Sequence, residues 1–235
     1  MPDEGMTNLD NSQQKELGAY IGRLLRDSFG KGPEGTFVSI GGHFVTVYLR
    51  NFMSPTEQIL MEQRQEAMVV STRATLMEKL IPEIKTGILF ITGIELQELY
   101  YDWGLHNRSG MMIGISVEPF AAPPVNETYV GKAQVHREVD DISQQAQKVP
   151  DETYSCELNR RTLIVIRNGI LVAIEKELIR LGYEIALKYA KGNLEKRYLH
   201  NSNHFESSLN KKVIDIFLDW DFVRDKSVIA FVLNE

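Results

Sequence analysis

From Gln13 onward, Leu17, Tyr20, Ile21, Leu24, Leu25 and Phe29 recur at three- and four-residue spacing, which predicts a helix with one apolar face. Gly30-Lys31-Gly32-Pro33 then supplies the residues that end a helix. The period next changes to strand-like runs over Thr36–Ile40 and His43–Leu49, with Gly41-Gly42 as the turn of a hairpin. A second helix starts at Ser54-Pro55-Thr56-Glu57, where Ser54 caps, Pro55 suits the first position and Glu57 completes a capping box. Its apolar positions Met61, Met68, Leu76 and Leu80 carry it to near Pro82 or a little beyond. Ile88–Ile91, Leu96–Trp103 and Met111–Val117 read as strand material, with a turn at His106–Gly110.

Pro119-Phe120-Ala121-Ala122-Pro123-Pro124 breaks both periodicities and reads as a linker. A similar order follows: a polar helix near His136–Gln147, strands at Thr153–Glu157 and Arg161–Ile166, and a long helix over Leu171–Tyr198. Strands at Val213–Trp220 and Ser227–Leu233 complete it. Residues Met1–Ser12 are polar and are expected to be disordered.

The two halves echo one another. A shift of 117 places Arg50-Asn51 on Arg167-Asn168 and Asp102-Trp103 on Asp219-Trp220, and brings Pro33 onto Pro150. Both tryptophans of the chain are thereby matched to each other. The expected architecture is therefore α+β: two tandem αββαββ units, each an antiparallel sheet covered by helices, arranged as a pseudo-dimer. The first repeat is placed at 13–118, the linker at 119–131 and a divergent second repeat at 132–235.

Composition narrows the function. A net charge of −6 disfavours a nucleic-acid binder with a broad basic surface. The single Cys156 excludes a disulfide framework and falls in a predicted strand, so a buried thiol is expected. Apolar runs are too short to span a bilayer, which takes roughly 20 residues, so a cytoplasmic protein, at most peripheral to a membrane, is expected. His200 and His204 lack the motif of a metal site, and no nucleophile, Walker or dinucleotide signature occurs. No metal, cofactor or catalytic residue is expected, and the chain reads as a non-enzyme.

The repeated polar and aromatic residues are the candidate ligand-binding set: Arg50, Asn51, Asp102, Trp103, Arg167, Asn168, Asp219 and Trp220. An arginine and an amide at a strand exit suit a carboxylate or bicarbonate. They equally suit a turn, or a pair with Asp102 and Asp219. The tryptophans read first as core or interface anchors. Gly30-Lys31-Gly32-Pro33 follows a helix C-terminus, where the dipole is negative, and reads as cap and turn rather than phosphate cradle.

The Gly-Lys-Gly-Pro element, the strand pair, Met53-Ser54-Pro55-Thr56-Glu57 opening a helix, and a later aspartate-bearing strand occur in an order that resembles the MpsC-like family. The resemblance covers Gln13–Val117 well and the second half through the internal repeat. It implies a soluble component of a Na+-translocating, membrane-potential-generating system with membrane partners linked to inorganic-carbon uptake. The expected role is accessory or regulatory, with membrane transporter subunits as partners and self-association allowed. The alternative is a sensor binding a small anion or metabolite at the inter-repeat cleft.

Overall fold

In the first unit, Leu17, Ile21 and Leu25 are buried along one face of α1 (Glu4–Phe29), the spacing that the apolar pattern predicts. The computed structural model describes residues 4–234. Residues 1–3 of the segment expected to be disordered, and the last residue of the second repeat, lie outside them. From Glu4 that segment is helical, continuous with α1. Gly30, at φ 73°, ends the helix in the left-handed region.

The hairpin follows as β1 (Gly35–Gly41) and β2 (Phe44–Arg50). Gly41 pairs with Phe44, so the turn is Gly42-His43 rather than Gly41-Gly42. Gly42 supplies the positive φ of 52° that the tight turn needs.

The helix predicted from Ser54 to Pro82 is two helices. The first is α2 (Pro55–Glu62), with both hydrogen bonds of the Ser54–Glu57 capping box in place. Arg64 at φ 58° breaks the path, and α3 (Glu66–Thr92) runs on. Pro82 lies inside α3. Buried Leu80, Ile84 and Ile88 carry one face straight past it, so 88–91 is helix, not strand. The unit closes with β3 (Leu96–Gly104) and β4 (Ser109–Ser116), and the antiparallel order is β1-β2-β4-β3.

The second unit repeats this scheme with α4 (Lys132–Ala146), β5 (Glu152–Asn159) and β6 (Thr162–Asn168). Its predicted long helix, Leu171–Tyr198, is two, α5 (Ala173–Arg180) and α6 (Glu184–Asn201), and a short α7 (His204–Leu209) follows where no helix is predicted. Gly182 at φ 83° makes the first break, as Arg64 does in the first unit. With β7 (Val213–Asp221) and β8 (Lys226–Leu233) the order is β5-β6-β8-β7. Leu163, Val165, Ile229 and Phe231 pack with α4, α6 and α7 through Val135, Val139, Leu199 and Phe205. Ile164, Ile166, Val228 and Ala230 point the other way and are also buried. That explains why these strands read as unbroken apolar runs rather than alternating ones.

The 119–131 stretch is held at both ends. Phe120 is buried and its N–H donates to Gly42 O at 2.8 Å, while Asn126 bridges Glu157 beside β5. The chain divides into two compact units at Pro124/Val125, with Tyr100–Asp102 of β3 belonging to the second unit.

The ladders correct the repeat. Gly35 faces Arg50, whereas Glu152, its counterpart under the 117 shift, faces Asn168. The extra residue sits in a bulge between Glu157 and Asn159 of β5. Beyond it β2 matches β6, and α2 matches α5, end to end at a shift of 118. The true counterpart of Arg167 is therefore Leu49, and that of Arg50 is Asn168. The repeated Arg-Asn pair is a coincidence of the ungapped comparison. β3 and β7 return to the 117 shift, so Asp102-Trp103 and Asp219-Trp220 remain matched.

Candidate functional site

Helix capping brings the first buried charge into place. Glu57 accepts the Ser54 N–H at 2.7 Å, and its carboxylate then faces the adjoining helix α3. There Arg73, fully buried, grips it with Nε at 2.7 Å from Oε1 and Nη2 at 3.0 Å from Oε2. Nη2 also donates to Phe52 O at 2.9 Å. The guanidinium lies 4.6 Å from the Trp103 ring and 4.9 Å from that of Phe52. Phe29 closes the aromatic box, 5.1 Å from Phe52. Burial alone would raise the Glu57 carboxyl, but Arg73 and the Ser54 bonds outweigh it and hold the group below its usual range.

The second unit rebuilds this centre from different residues. Glu175 accepts the Val172 N–H at 3.0 Å, although a valine cannot return the bond as Ser54 does. Lys191, at the position of Arg73, pairs with Glu175 at 2.6 Å and lies 5.7 Å from the Trp220 ring. It also bonds the Gln147 side chain. Each unit thus joins a capping glutamate, a buried cation and a tryptophan. The matched tryptophans were legible in sequence. The cation and the carboxylate were not, because the ungapped shift misses them by one residue; a gap at the bulge aligns Glu57 with Glu175 and Arg73 with Lys191.

Next to it, the second unit replaces a piece of apolar core by a polar network. Arg167, fully buried, donates to Ser227 Oγ and Ser143 Oγ, both at 2.8 Å, and lies 2.7 Å from Glu195 Oε2. Glu195 in turn lies 3.9 Å from Lys191. The corresponding positions of the first unit are Leu49, Gly110, Leu25 and Met77. The three apolar side chains there are buried, and a Cβ on Gly110 would lie 3.4 Å from Leu49.

The other candidate residues are dispersed. Arg50 is exposed, with its guanidinium 5.4 Å from the Phe37 ring. Asn51, at φ 49°, donates to Glu34 at 3.0 Å, and Asn168 donates to Glu152 at 2.9 Å. These amides tie adjacent strand ends together. Arg50 and Arg167 do not share an environment.

Asp102 and Asp219 answer each other within the second unit. Asp102 accepts the Leu218 N–H at 2.8 Å and pairs with Lys196 at 2.6 Å. Asp219 accepts the Tyr101 N–H at 2.8 Å and pairs with Lys188 at 2.5 Å. Leu218 and Tyr101 are themselves equivalent, so the exchange is reciprocal. Burial opposes a charge on Lys188, but Asp219 overrides it and lifts the ammonium above its ordinary range.

Cys156 is buried as expected, and desolvation pushes its thiol up to about 11. Beside it, Ser155 Oγ lies 2.6 Å from His136 Nε2 and 2.7 Å from the Tyr129 hydroxyl. Ser155 is fully buried and the contacts cross-brace α4 and β5. Burial, then Lys132, lowers the His136 pKa, which keeps the ring neutral for that role. Among the described residues no group of three or more His, Cys, Asp or Glu could hold a metal, and no helix is long and apolar enough to cross a membrane.

These features define a tandem α+β protein in which each half locks a helix pair to its sheet through a buried cation under a tryptophan. The same duplication appears in comparison with known families. Residues 10–117 and 132–235 each match MpsC, described as the Na+-translocating membrane potential-generating system, and the chain belongs to that family. No curated protein and no solved structure matches it.

Proposed function

We propose that this chain is a non-catalytic regulatory component of a Na+-translocating system, working at the cytoplasmic side beside membrane subunits, with inorganic-carbon uptake as the process it serves. Family membership supplies the system. The observation that carries the non-catalytic reading is how the shared charges are used. In both units the recurring geometry is a capping carboxylate closed onto a buried cation, with the cation under an indole. Such groups are committed to holding helices to sheets, whereas a catalytic acid or base must reach a substrate proton within hydrogen-bond distance.

The reading is tested by reconstituting the membrane subunits of the system in liposomes and following the Na+-dependent potential with a voltage-sensitive dye. Addition of the chain is expected to change the rate or extent of the potential. The chain alone is expected to turn over no substrate. An unchanged potential over a range of ratios of chain to membrane subunit would overturn the proposal.

A further inference from the structure

The two halves differ most informatively where α1 meets β1. In the second unit the matching contact is filled: His136 of α4 reaches Ser155, and Asp140 reaches Thr153 Oγ1 at 2.9 Å. The first unit has glycines at both places. A Cβ on Gly18 would lie 3.7 Å from Val38, the counterpart of Ser155; one on Gly22 would lie 3.2 Å from Thr36 Oγ1, the counterpart of Thr153. The bare glycines let α1 lie close against Thr36, whose carbonyl would be 3.3 Å from a Cβ on Gly18, and a groove of about 520 Å³ runs along that seam, lined by Gly18, Gly22 and Thr36. That volume falls within the range of small-molecule sites.

The rim of the groove is cationic. Lys15, Arg23 and Arg26 line it, against one carboxylate, Glu34, which is already engaged by Asn51. No residue among those described forms a salt bridge with any of the three cations. At the matching positions of α4 stand Ala133, Asp141 and Gln144, none of them a cation. The duplicated fold therefore requires neither the groove nor its charge. Both occur in one half only, in a chain whose net charge is −6.

We propose that this groove binds a small phosphate-bearing anion. Arg23 and Arg26 lie about one turn apart on α1 and line the groove together with Pro33, and two guanidinium groups on one rim suit a phosphate through charge-assisted hydrogen bonds. Lys15 lies two to three turns away, about 12 Å along the axis from Arg23 and about 16 Å from Arg26, so the site favours an extended ligand with charge at one end and a second polar group at the other. The helix C-terminus at Phe29 carries a negative dipole, so side chains rather than backbone amides must hold the anion. This inference does not rest on the proposed role in Na+ translocation.

The test is calorimetric titration of the full chain at low ionic strength with AMP, ATP and inorganic phosphate, alongside co-sedimentation with phosphatidylglycerol vesicles. A nucleotide is expected to bind more tightly than phosphate. Arg23→Gln/Arg26→Gln is expected to weaken it at least tenfold, and Gly22→Asp to abolish it by restoring the second unit's side chain. Arg160→Gln/Arg161→Gln, exposed in the other unit, is the charge control and should bind as the wild type does. Trp103 fluorescence in a Trp220→Phe background reports that the first unit of each variant is folded, and protection of Cys156 from thiol reagents reports the same for the second. Failure of the wild type to bind AMP, ATP or phosphate at millimolar concentration would overturn the proposal, as would equal binding by the double variant. Binding to vesicles without binding to soluble phosphates would overturn it in favour of a lipid headgroup.

Discussion

Replacing Arg73 by methionine removes three hydrogen bonds made by a fully buried guanidinium, two to Glu57 and one to Phe52 O. It also leaves the Glu57 carboxylate facing an apolar partner while still tied to the Ser54 N–H. Breaking a buried ion pair from one side costs about 3–5 kcal/mol. The Glu57 side chain retains 11% exposure, so water relieves part of the penalty, and the lower end, about 3 kcal/mol, is expected. Arg73→Lys keeps the charge, as Lys191 does in the second unit, but loses the forked geometry, and about 1–2 kcal/mol is expected. The assay is urea unfolding followed by Trp103 fluorescence in a Trp220→Phe background, so that the signal comes from the indole over Arg73. At an m-value of roughly 1–2 kcal/mol/M the midpoint for Arg73→Met should fall by roughly 2 M. Neutralising the stranded group in Arg73→Met/Glu57→Gln should recover part of that loss. A loss below about 1 kcal/mol for Arg73→Met, equal losses for Met and Lys, or no recovery in the double variant would refute the reasoning.

Because Glu57 titrates below its usual range in the fold, its contribution is fully present above the unfolded pKa and disappears as pH falls through the lower folded value. Thermal melts of the wild type and Glu57→Gln should therefore converge below about pH 4, and a constant gap would contradict the assignment. Cys156, buried and with its thiol pushed up to about 11, should react with a thiol reagent at pH 8 only as fast as the second unit opens; labelling at the rate of a free thiol in the native state would contradict this. Gly131→Ala should destabilise the second unit in a urea titration, because φ is 85° and the new Cβ would collide with the Ser208 carbonyl. A neutral result there would mean that the start of α4 can move freely.

Local grammar was readable along the chain where one residue type has one physical use. Ser54-Pro55-Thr56-Glu57 had to open a helix, and alternating or continuous apolar runs gave both hairpins. The helix breaks at Arg64 and Gly182 were hidden, because a single left-handed residue interrupts a path without interrupting the apolar pattern. Pro82 misled in the opposite sense: burial of Leu80, Ile84 and Ile88 outweighs the hydrogen bond that a proline removes. Arg73 carries no signal of its own in the sequence, since nothing local says that it faces three aromatic rings. Arg167 seemed the copy of Arg50, yet one is buried in the core and the other lies on the surface.

The polar network around Arg167 also constrains how one half could have come to differ from the other. Had the ancestral position carried a leucine like Leu49, a change to arginine alone would have buried a bare cation, a step costing several kcal/mol. The hydroxyls of Ser143 and Ser227 are tolerable without Arg167, and the Glu195 carboxylate still has Lys191 within reach without it. A passable order therefore begins with the small hydroxyls and the lysine–glutamate pair and admits the arginine last. Reversion is uphill too: Arg167→Leu removes the nearer partner of Glu195 and leaves that buried carboxylate with Lys191 alone, 3.9 Å away, unless it is returned to an apolar residue first. Divergence here works as a ratchet, with each later charge made tolerable by an earlier one and difficult to withdraw by itself.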